Sequence, residues 1–183
     1  MRLTGRKSFI TGAAKGIGLS VARAFAAEGA AVALADISEE ESKKQSLKIK
    51  ETYGVDAIGV KCDVGDTISV QNAIKETSEA FNGLDTIACM AATLTERLDV
   101  VDLPEDEWNR TLNVNLTGSF LVCKHGIPFL REAGGGSIIL TASQMGQVAW
   151  PGSTAYCTTK GGILQLVKGI ALDHKDENIR CNS

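Results

Sequence analysis

Tyr156 and Lys160 stand four positions apart in a stretch that begins at Ser143. If a helix begins near Ser153 or Thr154, the phenol and the ammonium lie on one helix face, one turn apart. A phenol ordinarily ionises near pH ~10, and a neighbouring ammonium stabilises its charged form. Tyr156 could then exchange a proton with an alcohol or a carbonyl group near neutral pH.

Ser143 follows an apolar run, Ser137–Thr141, that predicts a buried strand. Its hydroxyl would stand at the carboxyl end of that strand, where ligands bind in open α/β sheets. A Tyr–Lys pair at this spacing is also common on solvated helix faces. A catalytic role for the pair is favoured only because Ser143 and a glycine-rich turn near the N-terminus accompany it.

The glycine-rich turn contains Gly12, Lys15, Gly16, Ile17 and Gly18, and it follows a short predicted strand, residues 7–11. A helix comes next, and its apolar residues at 17, 21 and 25 share one face. Between a strand and a helix N-terminus, glycines let a pyrophosphate approach the free backbone N–H groups. The alternative is a tight turn without a ligand; the flanking strand and helix favour nucleotide binding.

Asp36 ends the second predicted strand, residues 31–35, eighteen residues after Gly18. A carboxylate at this place accepts hydrogen bonds from the adenosine ribose and repels a 2′-phosphate, which favours NAD over NADP. Lys15 is the opposing signal, because a cation there could attract a phosphate. Asp36 could instead cap the next helix, but Ser38 is expected to fill that role before three glutamates.

Strands and helices alternate along the chain, with further strands predicted at residues 55–61 and 84–89 and helices at 38–53 and from 66 to 83. This alternation implies parallel strands, right-handed crossovers and helices on both faces. The expected fold is α/β, a doubly wound parallel sheet in a Rossmann-type three-layer α/β/α arrangement, with residues 1–183 as one domain.

A long helix is predicted after Pro104, roughly over residues 105–131. Its apolar stripe comprises Trp108, Leu112, Leu116, Phe120 and Cys123. Asn115 interrupts this helix with a polar group, and a buried Asn in a helix needs hydrogen-bond partners. We therefore expect Asn115 to take part in local hydrogen bonding.

Composition and charge argue against several classes of function. A net charge of −3 without a basic run argues against a nucleic-acid surface. No apolar stretch reaches the roughly 18 residues that a membrane span needs, and no signal peptide is recognisable. The five cysteines are scattered and the two histidines isolated, so we expect free thiols, a cytoplasmic protein and no metal site.

Taken together, the chain resembles the short-chain dehydrogenase/reductases over essentially its whole length. The marks of this resemblance are the glycine-rich turn, Cys62-Asp63-Val64, Asn113-Val114-Asn115-Leu116, Ser143 and Tyr156-x-x-x-Lys160. Five marks in order and at matching spacing are specific.

The resemblance implies hydride transfer between NAD(H) and a secondary alcohol or ketone. Tyr156 would be the general acid/base, Ser143 would hold the substrate oxygen, and Lys160 would bind the nicotinamide ribose and favour the phenolate. Asn115 would support a water that relays protons from Lys160. The implied cofactor contacts are Gly12, Lys15, Gly16, Ile17, Gly18, Asp36, Asp63, Val64, Ala91, Tyr156 and Lys160.

Two departures from the family pattern stand out. The family usually carries Asn-Asn-Ala-Gly after strand four, where this chain has Cys89-Met90-Ala91-Ala92. We expect the weakly bonding thiol and the added methyl group to alter the cofactor fit. Family members also run to roughly 250 residues, so this sequence lacks the usual C-terminal substrate lid and last strand, either as a natural short form or as part of a longer protein.

Three functions remain open. The leading one is an NAD-dependent dehydrogenase or reductase, expected to form a homodimer or homotetramer through the long helix and the Tyr156 helix. The second is a catalytically impaired nucleotide-binding or assembly subunit of the same fold. A Rossmann methyltransferase would not need the Ser–Tyr–Lys set. Trp150, Met145 and Leu94 either line an apolar substrate site or belong to the core.

Overall fold

A parallel six-stranded sheet runs through the centre of the computed structural model, which describes residues 1–183. The strands are β1 (Lys7–Thr11), β2 (Ala31–Asp36), β3 (Ala57–Lys61), β4 (Thr86–Cys89), β5 (Gly136–Leu140) and β6 (Ile179–Asn182). Their order across the sheet is β3-β2-β1-β4-β5-β6. The order reverses between β1 and β4, and ligands bind at such a switch point, outside the carboxyl ends of the strands.

Helices connect the strands on both faces of the sheet. They are α1 (Gly16–Ala27), α2 (Glu39–Tyr53), α3 (Thr67–Phe81), α4 (Glu105–Leu112), α5 (Gly118–Glu132) and α6 (Thr154–Asp173). A π-helical segment, Asn113–Thr117, joins α4 to α5, so the predicted long helix is continuous. Short 3₁₀ turns occupy Gln144–Gly146 and Lys175–Glu177. No helix combines the length and the apolar character needed to cross a bilayer.

Two apolar cores lie on opposite faces of the sheet because successive side chains of a strand point to opposite sides. Phe9 of β1 belongs to the core that includes residues of α3, α5 and α6, whereas its neighbour Ile10 belongs to the core that includes residues of α1 and α2. Both side chains are fully buried. Burial of a large apolar side chain of this kind contributes about 1.5–3 kcal/mol. Together the two cores confirm the expected three-layer α/β/α arrangement.

Helix ends agree with the sequence in most places. Asp66, where the sequence predicted the start of this helix, caps α3 by accepting a hydrogen bond from the Ser69 N–H at 2.6 Å. Ser38 precedes α2 as expected, but its side chain makes no cap hydrogen bond. Its own N–H donates to Asp36 Oδ1 at 3.0 Å, so Asp36 supplies the bond that organises this turn.

Two surface faces differ from the sequence expectation. The face of α1 that turns to the sheet carries Gly18, Ala22 and Ala26, whereas Ile17 is 73 % exposed at the start of the helix. The apolar stripe of the long helix is only partly covered, since Phe120 remains 45 % exposed. Small residues allow α1 to approach the strands closely, and side-chain hydrophobicity alone does not predict that choice.

Candidate active site

Tyr156 and Lys160 lie in the first two turns of α6, one above the other, as the spacing predicted. Lys160 is 2 % exposed and Tyr156 is half-buried. The Lys160 ammonium lies 5.5 Å from the centre of the Tyr156 ring and donates to the Thr141 carbonyl oxygen at 2.6 Å. Burial lowers the pKa of Lys160, because a desolvated ammonium is disfavoured.

Ser143 follows β5 and caps the 3₁₀ turn at Gln144–Gly146. Its Oγ accepts a hydrogen bond from the Met145 N–H at 3.2 Å, which leaves the hydroxyl proton free to donate. This turn packs directly on α6, since a Cβ added to Gly146 would lie 2.6 Å from the Lys160 carbonyl oxygen. The structure therefore brings the Ser143 turn and the Tyr156–Lys160 turn of α6 together.

Asn115 lies in the π-helical segment and is fully buried. Its side-chain oxygen accepts from the Thr93 N–H at 2.7 Å, and its amide donates to the Thr93 carbonyl at 3.0 Å and to Thr159 Oγ1 at 3.4 Å. These bonds confirm the expected local network and tie the segment after β4 to α6. They include no bond to Lys160, so the water relay stays a prediction.

The glycine-rich turn between β1 and α1 requires its glycines for different reasons. Gly12 and Gly16 have positive φ angles of 63° and 60°, which favour glycine. A Cβ on Gly12 would lie 2.8 Å from the Ala91 Cα, whereas the corresponding place at Gly16 is open. Lys15 and Ile17 are exposed beside that opening. The turn thus presents open space at the N-terminus of α1, where an anion is stabilised.

Asp36 reaches back to this turn from the end of β2. Its Oδ2 accepts from the Ala14 N–H at 3.1 Å, which fixes the carboxylate beside the glycine-rich turn. Asp63 is exposed after β3, and its Oδ1 accepts from the Gly65 N–H at 2.9 Å. Val64 is only 6 % exposed and packs against Gly118 of α5, so it contributes mainly to helix packing.

The segment Cys89-Met90-Ala91-Ala92 is held by Thr11 at the end of β1. The Thr11 Oγ1 accepts from the N–H groups of Met90 and Ala91, both at 3.1 Å. The Cys89 side chain is buried beside Cys123, and their hydrogen bond, together with burial, raises the pKa of the Cys123 thiol. The Cys123 thiol is therefore a neutral packing group rather than a reactive one.

Two residues near the site were not found by sequence reasoning. Thr141 supplies the carbonyl that holds Lys160. Arg110 donates to Thr93 Oγ1 at 2.5 Å and to the Leu94 carbonyl at 3.3 Å, and pairs with Glu107 at 2.7 Å. A threonine directly after a buried strand was the available signal for Thr141. Arg110 carried none, because it lies on an exposed helix face.

The donor set fits a dinucleotide such as NAD. The positive-φ glycines leave an opening at a helix N-terminus, and the Asp36 carboxylate stands beside them. Lys160 is an ammonium with three N–H donors but only one protein acceptor, so two donors remain for ligand hydroxyls. No group of three or more His, Cys, Asp or Glu side chains is placed to hold a metal ion.

Comparison with known proteins agrees with this geometry. The family described as enoyl-(acyl carrier protein) reductase matches residues 12–183. The 2,5-dichloro-2,5-cyclohexadiene-1,4-diol dehydrogenase LinX of Sphingobium indicum is 37% identical over 182 residues, which are 100% of this chain and 72% of that protein. The trans-4-hydroxycyclohexanecarboxylate dehydrogenase of Sinomonas cyclohexanicum is 37% identical over 187 residues, with 100% of this chain and 71% of that protein covered.

Among solved structures, carveol dehydrogenase from Mycobacterium avium in complex with NAD superposes with a TM-score of 0.95 at 29% identity. The match covers 99% of this chain and 70% of that one. The fold, the family match and the relatives therefore agree with the resemblance seen in the sequence. The chain belongs to the short-chain dehydrogenase/reductase family.

Proposed function

We propose that the chain oxidises a secondary alcohol, or reduces the corresponding ketone, with Tyr156 as the general acid/base. Membership of the family makes it an NAD-dependent oxidoreductase acting on CH–OH groups. The observation that supports the assignment to Tyr156 is the buried Lys160 ammonium one helical turn away, which has no carboxylate partner. Bound NAD supplies the acceptor for the hydride that leaves the alcohol carbon.

In this proposal the protein moves one proton. Tyr156, as the phenolate, accepts the hydroxyl proton of the alcohol, and in the reverse direction its phenol returns the proton to the carbonyl oxygen. Lys160 stabilises the phenolate by its positive charge. Ser143 donates its free hydroxyl proton to the substrate oxygen and so stabilises the charge that develops there. Asn115, which also holds the Thr93 backbone by two hydrogen bonds, would support a water that relays protons from Lys160.

The proposed cofactor contacts divide into three groups. Gly12, Gly16 and Gly18 with Lys15 and Ile17 would face the pyrophosphate at the N-terminus of α1. Asp36 would bind the adenosine ribose and select NAD, and Asp63, Val64 and Ala91 would lie along the adenosine half of the site. Lys160 and Tyr156 would meet the nicotinamide ribose.

A turnover assay with a panel of secondary alcohols and NAD tests the assignment to Tyr156. We expect the wild-type protein to produce reduced cofactor, and Tyr156→Phe to lose turnover while binding NAD with nearly unchanged affinity by calorimetry. Unchanged turnover in the variant would refute the role of Tyr156. NAD binding without turnover on any alcohol by the wild-type protein would instead favour the impaired nucleotide-binding or assembly subunit, which the sequence Cys89-Met90-Ala91-Ala92 motivates.

For the substrate, we propose an uncharged secondary alcohol with an apolar body. Two segments flank the start of α6: residues 94–103, paired with it through Leu98 and Ser153, and residues 147–152. Their exposed apolar side chains are Leu94, Val100, Val101, Val148 and Trp150. The first segment carries three carboxylates against one cation, Arg97, whose guanidinium lies over the Trp150 ring at 6.0 Å.

An anionic substrate would meet this acidic segment, so its binding is disfavoured. The two relatives named above differ in this respect, since the hydroxycyclohexanecarboxylate in the second name carries a carboxylate and the diol in the first does not. A matched pair of probes, cyclohexanol and a hydroxycyclohexanecarboxylate, separates the alternatives. We expect the larger kcat/KM for cyclohexanol; a larger value for the carboxylate would contradict the charge argument.

We also propose a homodimer, or a homotetramer built from such dimers, that forms through α5 and α6. A groove of about 430 Å³ lies between these helices and is lined in part by Phe120, Ile127, Leu166 and Ile170. A second copy would cover the exposed ring of Phe120. Light scattering on the purified protein tests this proposal, and a monomer at micromolar concentration would contradict it.

Two further assignments are part of the proposal. Residues 1–183 would form a single dinucleotide-binding and catalytic domain, supported by the one sheet with a core on each face. The cytoplasm is the proposed location, supported by the five free cysteines, which a reducing compartment preserves.

A further inference from the structure

The Lys160 ammonium has one hydrogen-bond partner in the protein, the carbonyl oxygen of Thr141 at 2.6 Å. The side chain is 2 % exposed, and no carboxylate pairs with it. A buried ammonium with a single acceptor takes its position from that acceptor. The placement of the Thr141 carbonyl therefore decides where the remaining two N–H donors of Lys160 point.

Thr141 is itself fixed by two hydrogen bonds to one atom. Its N–H donates to the Cys89 carbonyl at 3.2 Å, and its hydroxyl donates to the same oxygen at 2.8 Å. The methionine sulfur of Met90 lies 3.0 Å from the same hydroxyl oxygen. Residue 141 follows the last residue of β5, so these contacts hold the carboxyl end of β5 against that of β4.

The neighbouring Cys89 side chain contributes little to this link between the carboxyl ends of β4 and β5. Cys89 is a weak hydrogen-bonding residue, and its side chain is buried beside Cys123. Threonine is suited to the task because its β-branched side chain restricts χ1 and holds the hydroxyl in one direction. The Thr141 hydroxyl is thus the side-chain donor that joins the two strand ends beside Lys160.

We propose that Thr141 is a positioning residue of the reaction, whose hydroxyl fixes the carbonyl that aims the Lys160 ammonium at the nicotinamide ribose and at Tyr156. The inference rests on the proposed function, and it adds a residue that does not touch substrate or cofactor. Without the hydroxyl the Thr141 carbonyl can shift, and the Lys160 ammonium would then form weaker hydrogen bonds to the nicotinamide ribose.

Three single variants separate positioning from stability. Thr141→Val removes the hydroxyl with almost no change of shape, and Thr141→Ser retains the hydroxyl. Thr86→Val is the matched control, because Thr86 lies on β4 at the opposite end of the same strand pair and donates to Asp85 Oδ1 at 2.7 Å. For each protein we would measure thermal unfolding, NAD binding by calorimetry and alcohol turnover.

We expect Thr141→Val to weaken NAD binding and to lower kcat/KM, each by roughly threefold to tenfold, the range of one lost hydrogen bond. Thr141→Ser should stay close to wild type in both. Thr86→Val should bind NAD and turn over like wild type, whatever its melting temperature. Wild-type affinity and turnover in Thr141→Val, or an equal loss in Thr86→Val or Thr141→Ser, would overturn the proposal.

A double-mutant cycle tests the connection to Lys160 itself. A Lys160→Met background has no ammonium for the Thr141 carbonyl to position. In that background Thr141→Val should change the NAD dissociation constant by less than about twofold. Additive losses would show that Thr141 acts elsewhere and would overturn the proposal. Failure of the wild-type protein to bind NAD would refute the proposed function, which is a separate and earlier outcome of the same titrations.

Discussion

Gly18→Ala adds a methyl group where the structure leaves no room for one. A Cβ on Gly18 would lie 2.2 Å from the Gly12 carbonyl oxygen and 2.8 Å from its carbonyl carbon. Both atoms belong to the backbone, so no side chain can rotate away. Gly18 has no positive φ, and the conflict is therefore one of space and not of backbone conformation.

Relief of this contact requires Gly12 and α1 to separate. Overpacking of a close-packed site costs about 1–3 kcal/mol. For a chain of this size such a loss lowers Tm by roughly 2–12 °C, since each kcal/mol corresponds to about 2–4 °C. The separation also opens the turn that is proposed to hold the pyrophosphate, so we expect at least a tenfold rise in the NAD dissociation constant, about 1.4 kcal/mol.

Calorimetric titration with NAD and thermal unfolding together measure the two effects. The matched control is Gly54→Ala at the end of α2, where φ is 67° and no atom lies within 4 Å of an added Cβ. That variant should lose about 1–2 kcal/mol of stability through backbone strain and bind NAD normally. Wild-type NAD affinity in Gly18→Ala would refute the claim that this close approach shapes the cofactor site.

Three further predictions concern single side chains. Asp36→Asn should lower the ratio of NAD affinity to NADP affinity by roughly tenfold, because the charge that repels the 2′-phosphate is gone. Parallel titrations with NAD and NADP measure this ratio. Asn115→Ala should lower the free energy of unfolding by about 2–4 kcal/mol in denaturant titrations, since it leaves the Thr93 N–H and carbonyl unpaired. Burial lowers the pKa of Lys160, so the unfolded chain binds more protons, and stability should rise with pH from the folded pKa up to about 10.4. Lys160→Met should lack this rise when unfolding is measured from pH 7 to 10; equal pH dependence in both proteins would contradict it.

Much of the fold follows from local patterns. Apolar runs separated by glycines and by helices with one apolar face predicted a parallel sheet, and the structure shows one. The starts of α6 and of α3 were predicted to within a residue, because each depends on a few neighbouring residues. The predicted strand limits differ by up to two residues, as at β3, which begins at Ala57 and not at Val55.

The differences lie where distant segments meet. The π-helical turn at Asn115 comes with hydrogen bonds to Thr93, twenty-two positions earlier in the chain. The bond from Lys160 to the Thr141 carbonyl joins a helix to a strand end, and no residue spacing encodes it. The exposed position of Ile17 beside the glycine-rich turn likewise contradicts simple periodicity, because the small residues of α1 face the sheet.

Deuterium transfer from an alcohol labelled at its carbinol carbon tests the central claim most directly. With saturating NAD, the wild-type protein should place one deuterium on each reduced cofactor formed, as read by mass spectrometry. Tyr156→Phe, saturated to the same degree, should form almost none, because no group accepts the hydroxyl proton. Equal deuterium transfer by the two proteins would contradict the account of Tyr156 as the general acid/base.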